Sequence, residues 1–573
     1  MKYLLPYFKK YKLESILAPL FKMLEAMFDL IVPMVVAKII NIGIAGGDRK
    51  YIISHFLILI AMAVFGLLCS AVAQFFAAKA AVGTASSLRY RLLGHIQSLG
   101  FKELDKTGIS TLITRMTADV NQVQNGLNMF LRLFLRSPFI VFGAMIMAFS
   151  INFKIALIFA AAIVILFIIV FGIMFITKPM YKRQQAKLDA VTSSTRENLT
   201  GVRVIRAFSK EADEYEHFKK INSALEKIQL RVGKISALMN PLTYVVINGG
   251  IILILWLGAQ SVNSGLLLSG DIIALVNYIS QILVELVKLA NLIVLLGRAV
   301  VSMGRIGQIF DIPPSMSFGS VSKGEATDEI VRFDNVSLKY SEGADNALYN
   351  ISFTAKKGQT IGIIGSTGSG KTSLVNLISR FYDASDGEIY FMGIPIKQWD
   401  KKALRSKIAS VMQRVQLFSG TIRSNLQYGK PDATDSEMFE ALETAQAADF
   451  VKEKDGMLDA IVEQGGRNFS GGQRQRLSIA RAVIAKPEIL ILDDSSSALD
   501  YATDAALRRA LKKLSNKTTV FIVSQRTSSI AHADKILVLD DGHLVGEGTH
   551  GELLKDCAVY REIHESTSKK ESE

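Results

Sequence analysis

The stretch GSTGSGKT, residues 365 to 372, decides how the second half of this chain folds. It follows the apolar run TIGII and precedes SLVNLIS, which is a strand, loop and helix in order. In that setting glycines let backbone N–H groups wrap a polyphosphate at a helix N-terminus. Gly365, Ser366, Thr367, Gly368, Ser369 and Gly370 supply the loop, Lys371 reaches the terminal phosphates, and Thr372 offers a hydroxyl to Mg²⁺. Nucleotide binding is therefore expected. The loop alone does not separate a kinase from a GTPase or a transport motor.

Working outward, ILILDDSSSALD at residues 489 to 500 reads as a buried strand running into Asp493, a second oxygen ligand for Mg²⁺. The following position, where an ATP-hydrolysing engine wants a glutamate to orient water, holds Asp494. Short β-rich runs alternate with helical patterns on both sides, which predicts an α/β domain over 330–573. Before it, IFDIPPSMSFGSVSKGEATDE has Pro, Gly, Ser and charges with no apolar period, and is read as a linker over 309–329.

Residues 1–308 have a different character. Half of the 573 residues are hydrophobic and 21% are charged, a mixture that points to a membrane half joined to a water-soluble half. The two cysteines, Cys69 and Cys557, fall in different halves, so no disulfide framework is implied. The net charge of +14 resides largely in Lys and Arg placed between apolar runs, where membrane topology accounts for it, and nucleic acid is not among the expected partners. The N-terminal MKYLLPYFKKYKLES is basic and partly apolar, with no small-residue cleavage site after it, and is read as a surface helix leading into the first span.

Six spans are long and apolar enough to cross a bilayer: roughly 15–44, 52–78, 128–151, 155–178, 237–260 and 272–298. The connections between the second and third and between the fourth and fifth are long and cationic, with Arg89, Arg91, Lys102, Lys106 and Arg115 in one and Lys182, Arg183, Arg196, Arg203 and Arg206 in the other. By the positive-inside rule these connections and both termini are cytoplasmic in a multi-pass membrane protein. Two spans carry polar stripes. Asn277, Gln281, Glu285, Lys288 and Asn291 share one face of the sixth, and Lys22, Glu25 and Asp29 recur at i, i+3 and i+7 in the first. Ionisable groups at membrane depth cost several kcal/mol unless they meet water, a partner or one another, so both stripes should face inward. They read either as the wall of a water-filled substrate path or as mutually satisfied pairs that hold the bundle.

The discriminating motif is FSGGQ at 469 to 473, followed by RQRLSIARA. Ser470, Gly471, Gly472 and Gln473 open a second helix with free N–H groups, another anion-binding nest far along the chain from the first. This is the signature of ABC transporters, and nearly the whole chain resembles one half of an ABC exporter of the multidrug type. The resemblance implies an α-helical membrane bundle of six transmembrane helices, the type I exporter fold, fused to a P-loop ABC nucleotide-binding domain, with ATP and Mg²⁺ as cofactors. It implies that Tyr340 stacks on adenine, that Gln413 touches Mg²⁺ and senses the membrane half, and that the signature of one chain closes over the P-loop nucleotide of another. Segments near Lys102 to Gly108 and Asn198 to Phe208 match the coupling helices at the tips of the cytoplasmic loops.

Three departures from the family pattern carry information. Asp494 replaces the Walker B glutamate, Gln525 in FIVSQRTSS replaces the switch histidine, and Gln464 stands where many members carry a glutamate. Asp in place of Glu withdraws the carboxylate by about 1.5 Å. A misplacement near 1 Å can cost on the order of 100-fold in rate. Gln525 can donate a hydrogen bond but supplies no positive charge or proton. ATP binding should survive and hydrolysis should not. The sequence thus resembles the degenerate-site subunit of a heterodimeric exporter, whose intact signature completes a competent site on a second, different half-transporter. The expected cargo is hydrophobic or amphipathic, drug-like or lipid. Alternatives are a slow homodimeric exporter, a lipid flippase, a siderophore-type importer and an ATP-gated channel.

Overall fold

The computed structural model describes residues 10–341, 343, 345–495, 499–514 and 518–572, and it divides into two compact units. One comprises Met1–Gln97 and Ile109–Ile312; the other comprises Ser98–Gly108 and Pro313–Glu573. The surface helix expected at the N-terminus falls largely on residues 1–9, outside the described residues, and Lys12 to Ser15 already belong to the first long helix.

Among the described residues, six helical stretches have the length and apolarity to cross a membrane: Lys12–Ile44, Arg49–Ser98, Ile109–Ile151, Phe153–Thr200, Glu211–Asn263 and Ser269–Phe310. Each backbone polar group inside a bilayer must be satisfied within the protein, which helices do locally. Their ends follow from local chemistry. Asn152 stops the third stretch in an extended conformation, and its Oδ1 accepts from the N–H groups of Lys154 and Ile155 at 3.0 and 3.2 Å, capping the fourth. Asp271 Oδ2 accepts from the Leu268 N–H at 3.1 Å at the start of the sixth. Where helices meet, small residues permit close approach: Ala18, Ala77, Ala80 and Ala81 are buried together with Leu127 and Leu131.

In the second unit a six-stranded sheet runs in the order His543–Gly548, Lys535–Asp540, Thr360–Gly365, Thr519–Val523, Ile489–Asp493, Ile408–Val411. All neighbours are parallel except the first pair. Ile489 to Asp493 are all buried, as a parallel strand covered on both faces requires. A four-stranded antiparallel sheet, ordered Leu348–Lys356, Glu329–Leu338, Asp386–Phe391, Ile394–Pro395, packs into the same core through Phe333, Phe353 and Phe391. A second core gathers Leu417, Met438, Leu442, Phe469 and Leu477 under the helix Gly471–Val483. This topology places the carboxyl ends of four adjacent parallel strands side by side, the usual position of a ligand crevice in such sheets.

The two expected tip segments are short helices. Phe101–Thr107 lies between Gly100 and Gly108, with Glu103 Oε2 accepting from the Gly100 N–H at 2.9 Å. Val202–Ala207 follows Gly201. The first tip falls in the unit that contains the α/β sheet rather than with the helices that flank it in sequence, a departure from a membrane domain drawn as 1–308. Its apolar and carboxylate contacts, described below, are the physical reason.

Candidate nucleotide site

The crevice at the carboxyl ends of those four strands encloses about 230 Å³ and is lined by Thr367, Gly368, Gly370, Lys371, Thr372, Gln413, Asp493, Asp494 and Gln525 among others. The sheet order explains the convergence. Thr360–Gly365 delivers the phosphate loop, Ile489–Asp493 ends at the two aspartates, Thr519–Val523 leads to Ser524 and Gln525, and Ile408–Val411 leads to Gln413. Asp493 pairs with Val523 across the sheet, and the Asp494 N–H donates to Val523 O at 3.1 Å, fixing where the second aspartate begins.

The loop is shaped by backbone. Gly370 has φ +94° and a Cβ there would meet Ala347 O at 2.7 Å; a Cβ on Gly365 would meet Leu539 O at 2.1 Å. Neither position accepts a side chain, and the chain wraps tightly as a result. Lys371 opens the helix Lys371–Ile378, and its Nζ donates to Gly365 O at 2.9 Å and Ser366 O at 2.6 Å. Thr372 Oγ1 donates to Asp493 Oδ2 at 3.0 Å. Burial pushes the Asp493 carboxyl up, with the Thr372 hydroxyl opposing. Burial likewise pushes the Lys371 ammonium down, against the pull of Asp493 and Asp494. Both shifts disfavour charge, and a cation with an anionic polyphosphate supplies the missing counter-charges. A hard cation prefers oxygen donors, which Thr372 and the Gln413 amide oxygen provide next to Asp493. The residues fit Mg²⁺ and a nucleoside triphosphate.

Asp494 stands beside this set with φ +49°, a left-handed conformation that Asp and Asn tolerate better than most residues. Its Oδ2 accepts from Gln413 Nε2 at 3.3 Å. Gln525 is exposed at the crevice. Tyr340 follows the strand Glu329–Leu338; its hydroxyl donates to Ser373 Oγ at 2.9 Å and its ring meets Tyr382 edge to face. Ser470 to Gln473 do not line the crevice. Ser470 caps Gly471–Val483 reciprocally, its Oγ accepting from Gln473 N at 3.3 Å while Gln473 Oε1 accepts from Ser470 N at 3.0 Å. Ser470 and Gly471 are exposed.

In the membrane unit the two polar stripes meet at a residue that the sequence reading passed over, Arg136. Its guanidinium binds Glu285 Oε1 at 2.5 Å, Asp29 Oδ2 at 2.9 Å and Glu25 Oε1 at 3.8 Å. Lys22 binds Glu25 at 2.5 Å and Lys288 binds Glu285 at 2.9 Å, each within its own helix, and Ser137 donates to Glu285 at 2.7 Å. Three cations thus face three carboxylates. Lys22 and Glu285 are 6% and 3% exposed, so they sit between packed helices rather than on an open wall, because Arg136, Ser137 and Ser70 satisfy them there. Gln281 Nε2 donates to Asp29 O at 3.2 Å, and Asn277, exposed, turns its amide back to Ile273 O. An arginine inside the apolar run 128–151 was the available signal. Ser373 and Ser524, next in sequence to Thr372 and Gln525, also line the crevice and were missed; so was Tyr382, which only folding brings against Tyr340.

A phosphate loop with its carboxylates on a parallel sheet, fused to six membrane-crossing helices, defines an ATP-driven membrane transporter. The chain belongs to the ABC transporter family: residues 15–286 match the ABC transporter transmembrane region and residues 348–497 match the ABC transporter domain. An uncharacterised ABC transporter ATP-binding protein of Mycobacterium tuberculosis is 36% identical over 552 residues, covering 96% of this chain and 94% of that one. A counterpart in Bacillus subtilis is 34% identical, covering 99% and 98%. An ATP-dependent lipid A-core flippase of Photobacterium profundum is 28% identical over 98% of this chain and 97% of its own. A bacterial Atm1-family ABC exporter solved with ATP bound has the same fold, with a TM-score of 0.78 at 21% identity over 97% of this chain and 98% of its own. The architecture is the type I ABC exporter fold.

Proposed function

We propose that this chain is the ATP-holding, poorly hydrolysing half of a heterodimeric exporter that moves hydrophobic or amphipathic molecules out of the cytoplasmic leaflet or the cytoplasm. The observation that carries this reading is the pairing of Asp494 and Gln525 on one crevice whose other groups suit Mg²⁺ and ATP. Lys371, Thr372, Asp493 and Gln413 bind and orient the nucleotide. Asp494 is short for a general base at the water's position, and its carboxylate is engaged by the Gln413 amide. Gln525 donates a neutral hydrogen bond where charge develops, a weaker stabiliser than a cation. ATP turnover then depends on the site completed by Ser470 and Gly471 on the partner's nucleotide. Tyr340 acts as the adenine platform.

Lipid flipping is the favoured version of the alternatives, because flippases align with this chain along almost its full length. Both versions need a hydrated lateral path past the sixth helix. In a chain lacking Cys69 and Cys557, Asn277→Cys and Gln281→Cys are expected to react with a hydrophilic maleimide in proteoliposomes. Ile168→Cys, exposed and apolar on the fourth span, is expected to stay unreacted. Equal labelling at the three positions overturns the path.

A further inference from the structure

We propose that Tyr382 and Asp105 are positioning residues that tie the adenine platform to the first tip helix, so that the base of the nucleotide, and not only its phosphates, sets where that helix sits. This rests on the reading of Tyr340 as the platform. The contacts form one continuous chain inside a single compact unit. The Tyr340 hydroxyl is held by Ser373, the residue after Thr372, at 2.9 Å. The Tyr340 ring meets Tyr382 at a centroid distance of 5.0 Å and 90°, a favourable edge-to-face arrangement. The Tyr382 hydroxyl then donates to Asp105 Oδ2 at 2.5 Å, on the helix Phe101–Thr107.

The tip helix grips this point twice. Phe101 and Asp105 are four residues apart and share one helix face. Phe101 packs on Phe381 at 4.7 Å and on Tyr382 at 6.2 Å between centroids, while Asp105 takes the hydroxyl. Arg405, on the helix Lys401–Lys407, covers the Phe381 ring at 4.9 Å. A short O–H···O⁻ bond is among the stronger and more directional polar contacts. Burial, together with Asp105, holds the Tyr382 phenol in its protonated form, so it remains the donor. A Tyr340 ring that shifts to accept a base moves Tyr382 at its edge, and Tyr382 cannot move without carrying Asp105. A base on the platform and the tip helix are then coupled reciprocally, as any two linked sites must be.

The test uses the full-length chain with its partner in lipid nanodiscs, in the background Cys69→Ala, Cys557→Ala, with a nitroxide at Lys106→Cys. Lys106 is exposed on the tip helix. ATP is expected to change the nitroxide line shape, whereas inorganic tripolyphosphate, which fills the phosphate loop without a base, leaves it unchanged. Tyr382→Phe and Asp105→Asn are each expected to abolish the ATP-dependent change while ATP affinity falls only about twofold to threefold, since neither residue lines the crevice and only the coupling to the tip helix is lost. Tyr340→Ala is expected to weaken ATP binding about tenfold through lost stacking. Unchanged affinity in Tyr340→Ala overturns the platform reading and the inference with it. Weakened affinity in Tyr340→Ala together with a persistent ATP response in Tyr382→Phe, or an equal response to tripolyphosphate, overturns the relay alone.

Discussion

Gly471→Glu is expected to lower ATP turnover of the purified assembly about 100- to 1,000-fold, while Asp494→Asn lowers it only modestly. The difference follows from where the two residues stand. Asp494 lines this chain's own crevice. Gly471 is exposed at the first turn of Gly471–Val483, where Ser470 and Gln473 have satisfied each other and the remaining N–H groups point outward with the positive end of the helix. On the proposed reading this nest receives the phosphate of a nucleotide held by another chain. A glutamate there places a negative group against phosphate, yet a carboxylate at a helix N-terminus favours the helix itself. Gly471 has no left-handed φ that a side chain would strain. Loss of turnover would therefore report the site rather than unfolding, and steady-state ATPase with a parallel thermal melt checks both. Equal damage from the two substitutions would make this chain's own site catalytic.

How much of this was legible beforehand depends on the range of the interaction. The phosphate loop, the strand ending at Asp493 and the signature are local patterns, readable because a strand, a turn and a helix N-terminus are each specified within a few residues. The six spans were legible because apolar length is itself the signal. What could not be read was convergence across distant segments. The polar stripe of the sixth span gave its face by periodicity, but not that Arg136 from the third span would enter it and bury Glu285. Tyr382 follows an ordinary helix end in sequence, and its contacts with Tyr340 and Asp105 exist only once residues 42 and 277 positions away are folded against it. The tip helix grouping with the α/β unit was missed for the same reason: hydropathy assigns Phe101–Thr107 to the loop between spans, whereas Phe101 and Asp105 decide its company.

Arg136→Ala is expected to destabilise the membrane unit by about 3 to 5 kcal/mol, the usual cost of removing one partner from a buried ion cluster. Arg136 provides the ionic links between helices in this cluster, because Lys22–Glu25 and Lys288–Glu285 lie within single helices. Without it Asp29 loses its cation and Glu285 keeps only Lys288 and Ser137. The triple change Arg136→Met, Asp29→Asn, Glu285→Gln should recover most of the loss, since removing the charges together leaves no uncompensated ion. Thermal unfolding in detergent micelles reads both variants. A melting temperature unchanged by Arg136→Ala would mean that packing of the spans, and not the charge cluster, holds this part of the bundle.

The most direct measurement is the composition of nucleotide retained by the purified, membrane-reconstituted assembly after a single turnover. Loaded with radiolabelled ATP, chased with unlabelled ATP and quenched at successive times, the assembly should convert half of its tightly held nucleotide to ADP at the turnover rate. The other half should persist as ATP, crosslinking to this chain through an azido-adenine analogue near Tyr340. Conversion of all retained nucleotide to ADP in one phase, or ADP recovered on this chain at the turnover rate, would contradict the account.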